Sequence, residues 1–491
     1  MICIPITART TNEALKDIKN AKQADIIELR ADFIRDISIN NLKSIIKKSK
    51  KPLIVTVRKR SEGGKFSGSE EKRINLLKKA IELSADFVDI ELSSGTKAIS
   101  QLKKLSKKTK IIVSHHNFKK TPDLNSIYSK IKKTNCDVIK IAAFAQSIDD
   151  NIKVFDIIKK ANKDKKKIIA LCMGVNGELS RILSPALGAF LTFGSLKKGK
   201  ESAPGQIEAK TLKEIYRVNR LKNPKIYGLV ANPVAHSKGF LIHNKSFEKL
   251  KLNSIYVNFL VENINSFIKN FKKIVSGLSI TIPHKRAVIR SLDKIERTAK
   301  NIGAVNTIVV KNGKLIGSNT DMSGAINAIK EKTTIKNKKV LMIGAGGVAR
   351  AVVFGIKQEQ GDLIIVNRTV EKAKKLSKEL DCDYGPLSML KGIDNVDILI
   401  NCTSIGMHPA VNKTPINKKL LKKIMKKNAV VFDTVYNPLE TKLLKDSKSI
   451  GCKTIRGVDM FVNQAAAQFN LWTNKKAPLN LMKKIAVENL K

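Results

Sequence analysis

Apolar and polar positions alternate in short blocks along the first 200 residues. Apolar runs at 2–7, 25–30, 53–58, 87–92, 110–116, 137–143, 167–172 and 190–194 read as strands. Between them lie Lys-rich segments with apolar residues at helical spacing. Eight strands alternating with helices predict a closed parallel (β/α)8 TIM barrel over residues 1–218, with an open doubly wound sheet as the alternative. Parity favours the barrel. Residues two apart in a strand share a face, and the outer face of a barrel is apolar to receive its helices. Ile27, Leu29 and Ala31 then face out, while Glu28, Arg30 and Asp32 face in. Val55 and Val57 face out against Thr56 and Arg58, and Val88, Ile90 and Leu92 against Asp89 and Glu91. Ile111 and Val113 oppose Ser114 and His116, and Ile139 and Ile141 oppose Val138 and Lys140. The inward polar groups gather at the C-terminal ends of the strands, where barrel enzymes carry their active sites.

Residues 217–226 are polar and punctuated by Pro224, and read as a linker. A second α/β pattern starts at Ile226-Tyr227-Gly228-Leu229-Val230, and a third at Lys339-Val340-Leu341-Met342-Ile343. Residues 460–491 read as helical with a break at Pro478. The predicted organisation is a barrel at 1–218, an α/β substrate-binding domain at 225–325, a Rossmann domain at 326–460, and closing helices at 461–491.

Composition narrows the class. With 42% hydrophobic residues in 491, the chain is not mainly disordered, and no run approaches 18 apolar residues, which excludes a membrane span. Six cysteines lie far apart with no Cys-x-x-Cys, as suits reduced thiols. The start, Met-Ile-Cys-Ile-Pro, enters a strand pattern with no basic leader, so the expected location is cytoplasmic. Lys plus Arg is 93 and Asp plus Glu 42, a formal net charge of +51. That charge raises a second reading, a basic nucleic-acid-binding protein. The lysines are spread in pairs, however, and aromatics are only 5%, so basic residues and stacking rings do not interleave. No nucleic-acid or membrane partner is expected, no metal-ligand cluster is visible, and the sequence specifies no oligomeric state.

Lys140 lies in the apolar stretch Asp-Val-Ile-Lys-Ile-Ala-Ala-Phe. Desolvation of a buried lysine favours the neutral amine that attacks a ketone; the alternative is a structural ion pair. His116 ends the preceding strand and is a candidate proton shuttle. Arg30, Arg58 and Arg181 are candidate carboxylate binders. In the third unit Gly344-x-Gly346-x-x-Ala349 follows an apolar strand and opens a helix, a placement that fits a dinucleotide pyrophosphate. The next strand ends in Asn367-Arg368-Thr369 rather than an acidic residue. Arg368 with Lys372 favours a 2′-phosphate, hence NADP over NAD, unless Arg368 is an ordinary helix-start cation.

Six motifs then occur in order. They are Glu28-Leu29-Arg30-Ala31-Asp32, Arg58-x-x-x-Glu62-Gly63-Gly64, Ser114-His115-His116-Asn117-Phe118, Lys140-Ile141-Ala142, Ser180-Arg181 and Ser202-Ala203-Pro204-Gly205-Gln206. Residues 1–215 thereby resemble the type I 3-dehydroquinate dehydratases. The resemblance implies a Schiff base between Lys140 and the ketone of 3-dehydroquinate, with His116 moving protons and Glu62 orienting His116. It assigns Glu28, Arg30, Arg58, Arg181, Ser202 and Gln206 to the substrate's hydroxyls and carboxylate. Asn117 departs from the Asp expected after the catalytic His, a change expected to alter the hydrogen bonding around it.

Residues 225–491 carry a second set. It comprises Asn232-Pro233-Val234-Ala235-His236-Ser237, Ser279-Ile280-Thr281-Ile282-Pro283-His284-Lys285, Gly303-Ala304-Val305-Asn306-Thr307 and Asn319-Thr320-Asp321. Asn401-Cys402-Thr403-Ser404-Ile405-Gly406-Met407, Asp433-x-x-Tyr436-Asn437-Pro438 and Gly457-Val458-Asp459-Met460 leading to Gln464 complete it. This set resembles shikimate dehydrogenase. It implies Lys285 and Asp321 as the catalytic pair, with Ser237, Thr281, Asn306 and Gln464 on the substrate. It implies Gly344, Ala345, Gly346, Gly347, Val348, Ala349, Asn367, Arg368, Thr369, Lys372, Thr403, Val435 and Gly457 around NADP(H). Gly239 and Phe240 depart from a Ser and a Pro usual in that family, which bears on substrate affinity and on shikimate against quinate. Fused in this order, the halves resemble a bifunctional enzyme that dehydrates 3-dehydroquinate and then reduces 3-dehydroshikimate with NADPH. The alternatives are one active half, or a reductase shifted towards quinate.

Overall fold

The computed structural model describes residues 1–234 and 237–490; Ala235 and His236 of the second motif set lie outside them. The chain divides into two compact units, Met1–Pro224 and a second beginning at Lys225.

In the first unit all eight expected strands form. They are β1 (Ile2–Ile6), β2 (Ile26–Arg30), β3 (Leu53–Thr56), β4 (Phe87–Glu91), β5 (Lys110–Asn117), β6 (Val138–Phe144), β7 (Lys167–Met173) and β8 (Thr192–Ser195). They pair in parallel in the order β7-β6-β5-β4-β3-β2-β1-β8, and a short β9 (Ile207–Glu208) adds to β8. The ring closes where Phe190 N, at the entry to β8, donates to Ile168 O of β7 at 2.7 Å. One buried apolar cluster takes Cys3, Ile26, Ile54, Phe87, Ile112, Val138, Ile169 and Phe193, a residue from each strand in turn. It fills the interior towards the strands' N-terminal ends. Two residues further along, the same inward rows carry Glu28, Thr56, Asp89, Ser114 and Lys140, all buried. The helices follow the lysine pattern. Helix Ile39–Lys48 is capped by the Ser38 hydroxyl, buries Leu42 and Ile45, and ends in Lys47 and Lys48, favourable charges at a helix C-terminus.

The segment expected as a linker is packed for most of its length. Val218 and Leu221 are buried, Asn223 N donates to Ala186 O, and Lys225 already belongs to the next strand.

The second unit holds two six-stranded sheets. The first orders β11-β10-β12-β14-β15-β13, from β10 (Lys225–Ala231), β11 (Ser254–Leu260), β12 (Val275–Ile280), β13 (Lys294–Ile295), β14 (Thr307–Lys311) and β15 (Lys314–Ser318). β10 to β12 are parallel, while β14 and β15 form an antiparallel hairpin whose Asn312-Gly313 turn has both residues at positive φ. The second sheet is all-parallel in the order β18-β17-β16-β19-β20-β21. Its strands are β16 (Lys339–Ile343), β17 (Asp362–Asn367), β18 (Asp383–Pro386), β19 (Val396–Asn401), β20 (Met425–Asp433) and β21 (Lys453–Ile455). This is the doubly wound dinucleotide-binding order, whose ligand crevice lies where the strand order reverses, between β16 and β19. Alternate residues of β16 feed two cores, Val340 and Met342 into one and Leu341 and Ile343 into the other. Burial on both faces explains why these strands read as continuous apolar runs.

Two helices join the sheets. Helix Asp321–Lys330 begins at the end of the first sheet but buries Ala325, Ile326, Ala328 and Ile329 in the Rossmann core. The boundary expected at 325/326 therefore falls inside one helix. Helix Gly457–Thr473 packs back onto the first sheet, with Trp472 stacked on Tyr227 at 5.2 Å, and helix Leu479–Asn489 follows after Pro478. At Gly324 a Cβ would lie 2.8 Å from the Gln464 Cβ, so the glycine sets how closely Asp321 and Gln464 approach.

Candidate active sites

Inward parity brings the first motif set to one cavity at the C-terminal ends of the barrel strands. Glu28, Arg30, Arg58, Glu62, His116, Lys140, Arg181, Ser202 and Gln206 all line it. The Lys140 ammonium donates to Glu28 Oε1 at 3.0 Å and Asp89 Oδ2 at 2.8 Å, and lies 4.6 Å from the centre of the Phe193 ring. Desolvation thus does not act on Lys140 alone, because two carboxylates share its burial. Arg58 donates to Asp89 at 2.8 Å, to Glu91 at 3.1 Å and to the Ser114 hydroxyl at 2.7 Å. Burial by itself would raise Asp89; the charges of Arg58 and Lys140 outweigh it and hold Asp89 well below the usual carboxylate range.

Glu62 is set for histidine. Its Oε2 accepts from the His116 backbone N at 2.9 Å and lies 3.2 Å from Nδ1, while Ser93 donates to its Oε1 at 2.7 Å. An ionised Glu62 places the ring proton on Nδ1 and leaves Nε2 as the basic nitrogen. Burial, and then the charges of Arg58 and Lys140, push His116 well below its ordinary value, so the ring is neutral near pH 7. Asn117 does not enter this hydrogen-bonding set. Its Oδ1 accepts from Lys119 N and Lys120 N, so its amide shapes the outgoing loop.

The three arginines separate by partner. Arg30 is paired bidentately with Asp32 at 2.8 and 2.9 Å, and Arg58 is held by Asp89 and Glu91. Arg181 is 1% exposed, and among the described residues its guanidinium donates to the Pro204 carbonyl at 3.1 Å and has Nε unpartnered. Burial lowers it to about 10. A buried guanidinium that lines the cavity with Glu178 near but no ion pair at contact distance among the described residues is suited to an anionic ligand.

The second set lines a cleft of about 420 Å3 in the second unit. Lys285 Nζ donates to Asp321 Oδ2 at 2.5 Å, and Asn306 Nδ2 to Asp321 Oδ1 at 2.8 Å. Asp321 starts its helix; Lys285 follows β12 in a turn pinned where His284 Nε2 meets Val261 O at 2.8 Å. Ser237, Thr281 and Gln464 line the same cleft. The Ser237 hydroxyl accepts from Gly239 N at 3.3 Å, at the start of helix Gly239–Lys249. A Cβ at Gly239 would lie 3.5 Å from both the Ser237 and Tyr256 hydroxyls, an ordinary contact, so the position accepts a Cβ. Phe240 packs against the neighbouring apolar core instead of lining the cleft.

The glycine motif lies between β16 and helix Ala349–Gln358. Gly344 has φ +108, and a Cβ there would lie 2.6 Å from Thr403 Cγ2; this brings Thr403 against the loop that Gly344 to Ala349 form. Val348 and Gly457 reach the cleft, and a Cβ at Gly457 would strike Val435 O. Asn367 Nδ2 donates to Thr369 O at 2.8 Å at the end of β17. Arg368 and Lys372 are exposed there and make no ion pair among the described residues. Among those residues no group of three His, Cys, Asp or Glu is placed to hold a metal ion.

Several contributors escaped the motif reading. Asp89 holds Lys140 yet was read only as inward-facing. Arg73, in helix Glu70–Glu82, reads as a surface cation paired with Glu70; it does hold Glu70, at 2.9 Å, but it is 1% exposed and also donates to Glu91 Oε2 at 2.7 Å. In the cleft a buried relay runs from the Tyr256 hydroxyl to Ser279 at 2.9 Å and on to Gln468 at 2.8 Å, with no motif to announce it.

A parallel barrel with a buried lysine and histidine in one cavity, joined to a Rossmann unit with a Lys–Asp pair, defines a two-headed α/β enzyme, part lyase and part dehydrogenase. Family models match in the same order. They are type I 3-dehydroquinase at 2–223, shikimate dehydrogenase substrate binding domain at 229–308, shikimate/quinate 5-dehydrogenase at 327–441, and shikimate 5′-dehydrogenase C-terminal domain at 457–486. The chloroplastic bifunctional 3-dehydroquinate dehydratase/shikimate dehydrogenase of Arabidopsis thaliana is 38% identical over 98% of this chain and 83% of its own length. The shikimate biosynthesis protein AroDE of Chlamydia pneumoniae is 31% identical over 96% of this chain and 95% of its own. A solved shikimate dehydrogenase in complex with NADP+ is 38% identical, with a TM-score of 0.51, and covers 55% of this chain and 96% of its own. The chain belongs to the family of bifunctional 3-dehydroquinate dehydratase/shikimate dehydrogenases.

Proposed function

We propose that the barrel dehydrates 3-dehydroquinate through an imine on Lys140, and that the cleft of the second unit reduces the resulting 3-dehydroshikimate to shikimate with NADPH. In the barrel the neutral Lys140 amine attacks the ketone; a C–N bond forms and water leaves. His116 Nε2 removes a proton beside the iminium, which serves as electron sink, and returns it to the departing hydroxyl. Hydrolysis of the product imine frees Lys140. Arg181 takes the substrate carboxylate, because Arg30 and Arg58 already hold carboxylates of the protein. Glu28, Ser202 and Gln206 are left for the ring hydroxyls. The observation that carries this half is the buried Lys140 in one cavity with neutral His116 and Arg181, which makes no ion pair among the described residues.

In the second unit NADPH supplies the hydride when bound. The loop from Gly344 to Ala349, with its tight approach to Thr403, fits a pyrophosphate, and unpaired Arg368 and Lys372 fit a 2′-phosphate. Lys285 and Asp321 hold the reacting oxygen and relay its proton, while Ser237, Thr281, Asn306 and Gln464 orient the ring. Neither step calls on a metal ion. Six unpaired cysteines support a reducing compartment, the cytoplasm in this reading, which fractionation of the source cells tests.

Borohydride added during turnover of 3-dehydroquinate tests the lyase half. The account expects a covalent adduct on Lys140 by peptide mass spectrometry and none in Lys140→Ala; an adduct on another lysine contradicts it.

A further inference from the structure

We propose that Arg73, on the outer helix Glu70–Glu82, is a positioning residue for the lyase half: through Glu91 and Arg58 it sets the charge balance around Asp89 and Lys140. The inference rests on the imine reading above. A line of charges leads from the helix into the cavity. Arg73 donates to Glu91 Oε2 at 2.7 Å and to Val57 O at 2.8 Å. The other Glu91 oxygen accepts from Arg58 at 3.1 Å, Arg58 donates to Asp89 at 2.8 Å, and Asp89 accepts from Lys140 at 2.8 Å. With Glu28, which also accepts from Lys140, the buried set holds three carboxylates and three cations, and Arg73 also donates through Nε and Nη2 to the exposed Glu70 carboxylate, each at 2.9 Å.

That balance governs how readily Lys140 gives up its proton, because buried charges act on one another with little screening. The groups facing Lys140 come from most of the ring. β1 offers Cys3; β2 offers Glu28 and Arg30; Arg58 and Glu62 follow β3; β4 offers Asp89 and Glu91; β5 offers His116; Arg181 follows β7. β8 offers only the Phe193 ring. Removing Arg73 leaves this interior one positive charge short. The remaining carboxylates then hold the ammonium more tightly, and the attacking amine forms only at higher pH. Removing the Glu91 charge acts in the opposite sense.

The test measures, in the full-length chain, the pH at which borohydride trapping of 3-dehydroquinate on Lys140 reaches half its maximum. Arg73→Met should move that midpoint up by about one pH unit, and Glu91→Gln down by a similar amount. Arg73→Lys, which keeps the charge, should leave it within about 0.3 of the parent. Because an unpaired buried carboxylate can unfold a domain, the charge-balanced double variant Arg73→Met/Glu91→Gln is measured too, and its midpoint should return to the parent value. An unmoved midpoint in folded Arg73→Met or Glu91→Gln overturns the inference, and so does a double variant that keeps a single variant's shift. Absence of any Lys140 adduct in the parent chain instead overturns the imine reading itself.

Discussion

Single residues decide the chemistry in both halves. Gly239 is the departure with the clearest consequence, since a Cβ there meets only ordinary contacts and a serine would bring a hydroxyl next to Ser237. One added hydrogen bond is worth about 0.5–1.5 kcal/mol. Gly239→Ser should therefore lower KM for 3-dehydroshikimate roughly 2- to 10-fold with kcat little changed; a raised KM in steady-state assays would show that the space is needed empty. His243 makes a prediction about stability. It stacks on Tyr256 at 4.5 Å, its buried Nδ1 has no hydrogen-bond partner among the described residues, and burial lowers it to about 3. The unfolded chain takes a proton near the ordinary value of 6.5, whereas the folded chain resists until about 3. Its contribution to stability is therefore complete above 6.5 and lost progressively as pH falls from 6.5 towards 3. Denaturant unfolding of the second unit should weaken over that interval, and less steeply in His243→Phe; equal slopes would assign the acid sensitivity elsewhere.

At the scale of elements, the barrel was legible because parity and chemistry agree. The rows that bury Ile54 and Val138 near one end of their strands present Thr56 and Lys140 two residues on, so one alternating pattern located both core and site. The Rossmann strands were legible by continuity, since both faces of β16 are covered. What stayed hidden were contacts that cross elements. Arg73 has the sequence signature of an exposed helical cation, and only the packing of its helix against β4 turns it inward. Tyr256, Ser279 and Gln468 meet from two strands and a helix nearly 200 residues further along the chain. The two units divide at Pro224, inside the polar 217–226 segment, but Val218 and Leu221 within it are buried, and helix Asp321–Lys330 serves both sheets, so 325 and 326 share one element. The loop after β16 carries its own prediction. Gly344→Ala meets both a left-handed φ and the Thr403 side chain, so KM for NADPH should rise at least about tenfold. Dehydration of 3-dehydroquinate should be untouched; a loss of both activities would contradict separate sites.

For the whole molecule, each of the two compact units holds one of the two cavities and its motif residues, so each activity should be removable without the other. Lys285→Ala should reduce NADPH-dependent reduction by about 10²–10⁴-fold while leaving dehydration intact, as for loss of a positioned acid–base group. The most direct test of the central claim supplies the purified chain with 3-dehydroquinate and NADPH and follows NADPH absorbance together with the products by mass spectrometry. The account predicts that shikimate forms with matching NADPH consumption, that Lys140→Ala abolishes it, and that added 3-dehydroshikimate restores reduction in that variant. Accumulation of 3-dehydroshikimate with NADPH unconsumed, or turnover that survives Lys140→Ala, would contradict it.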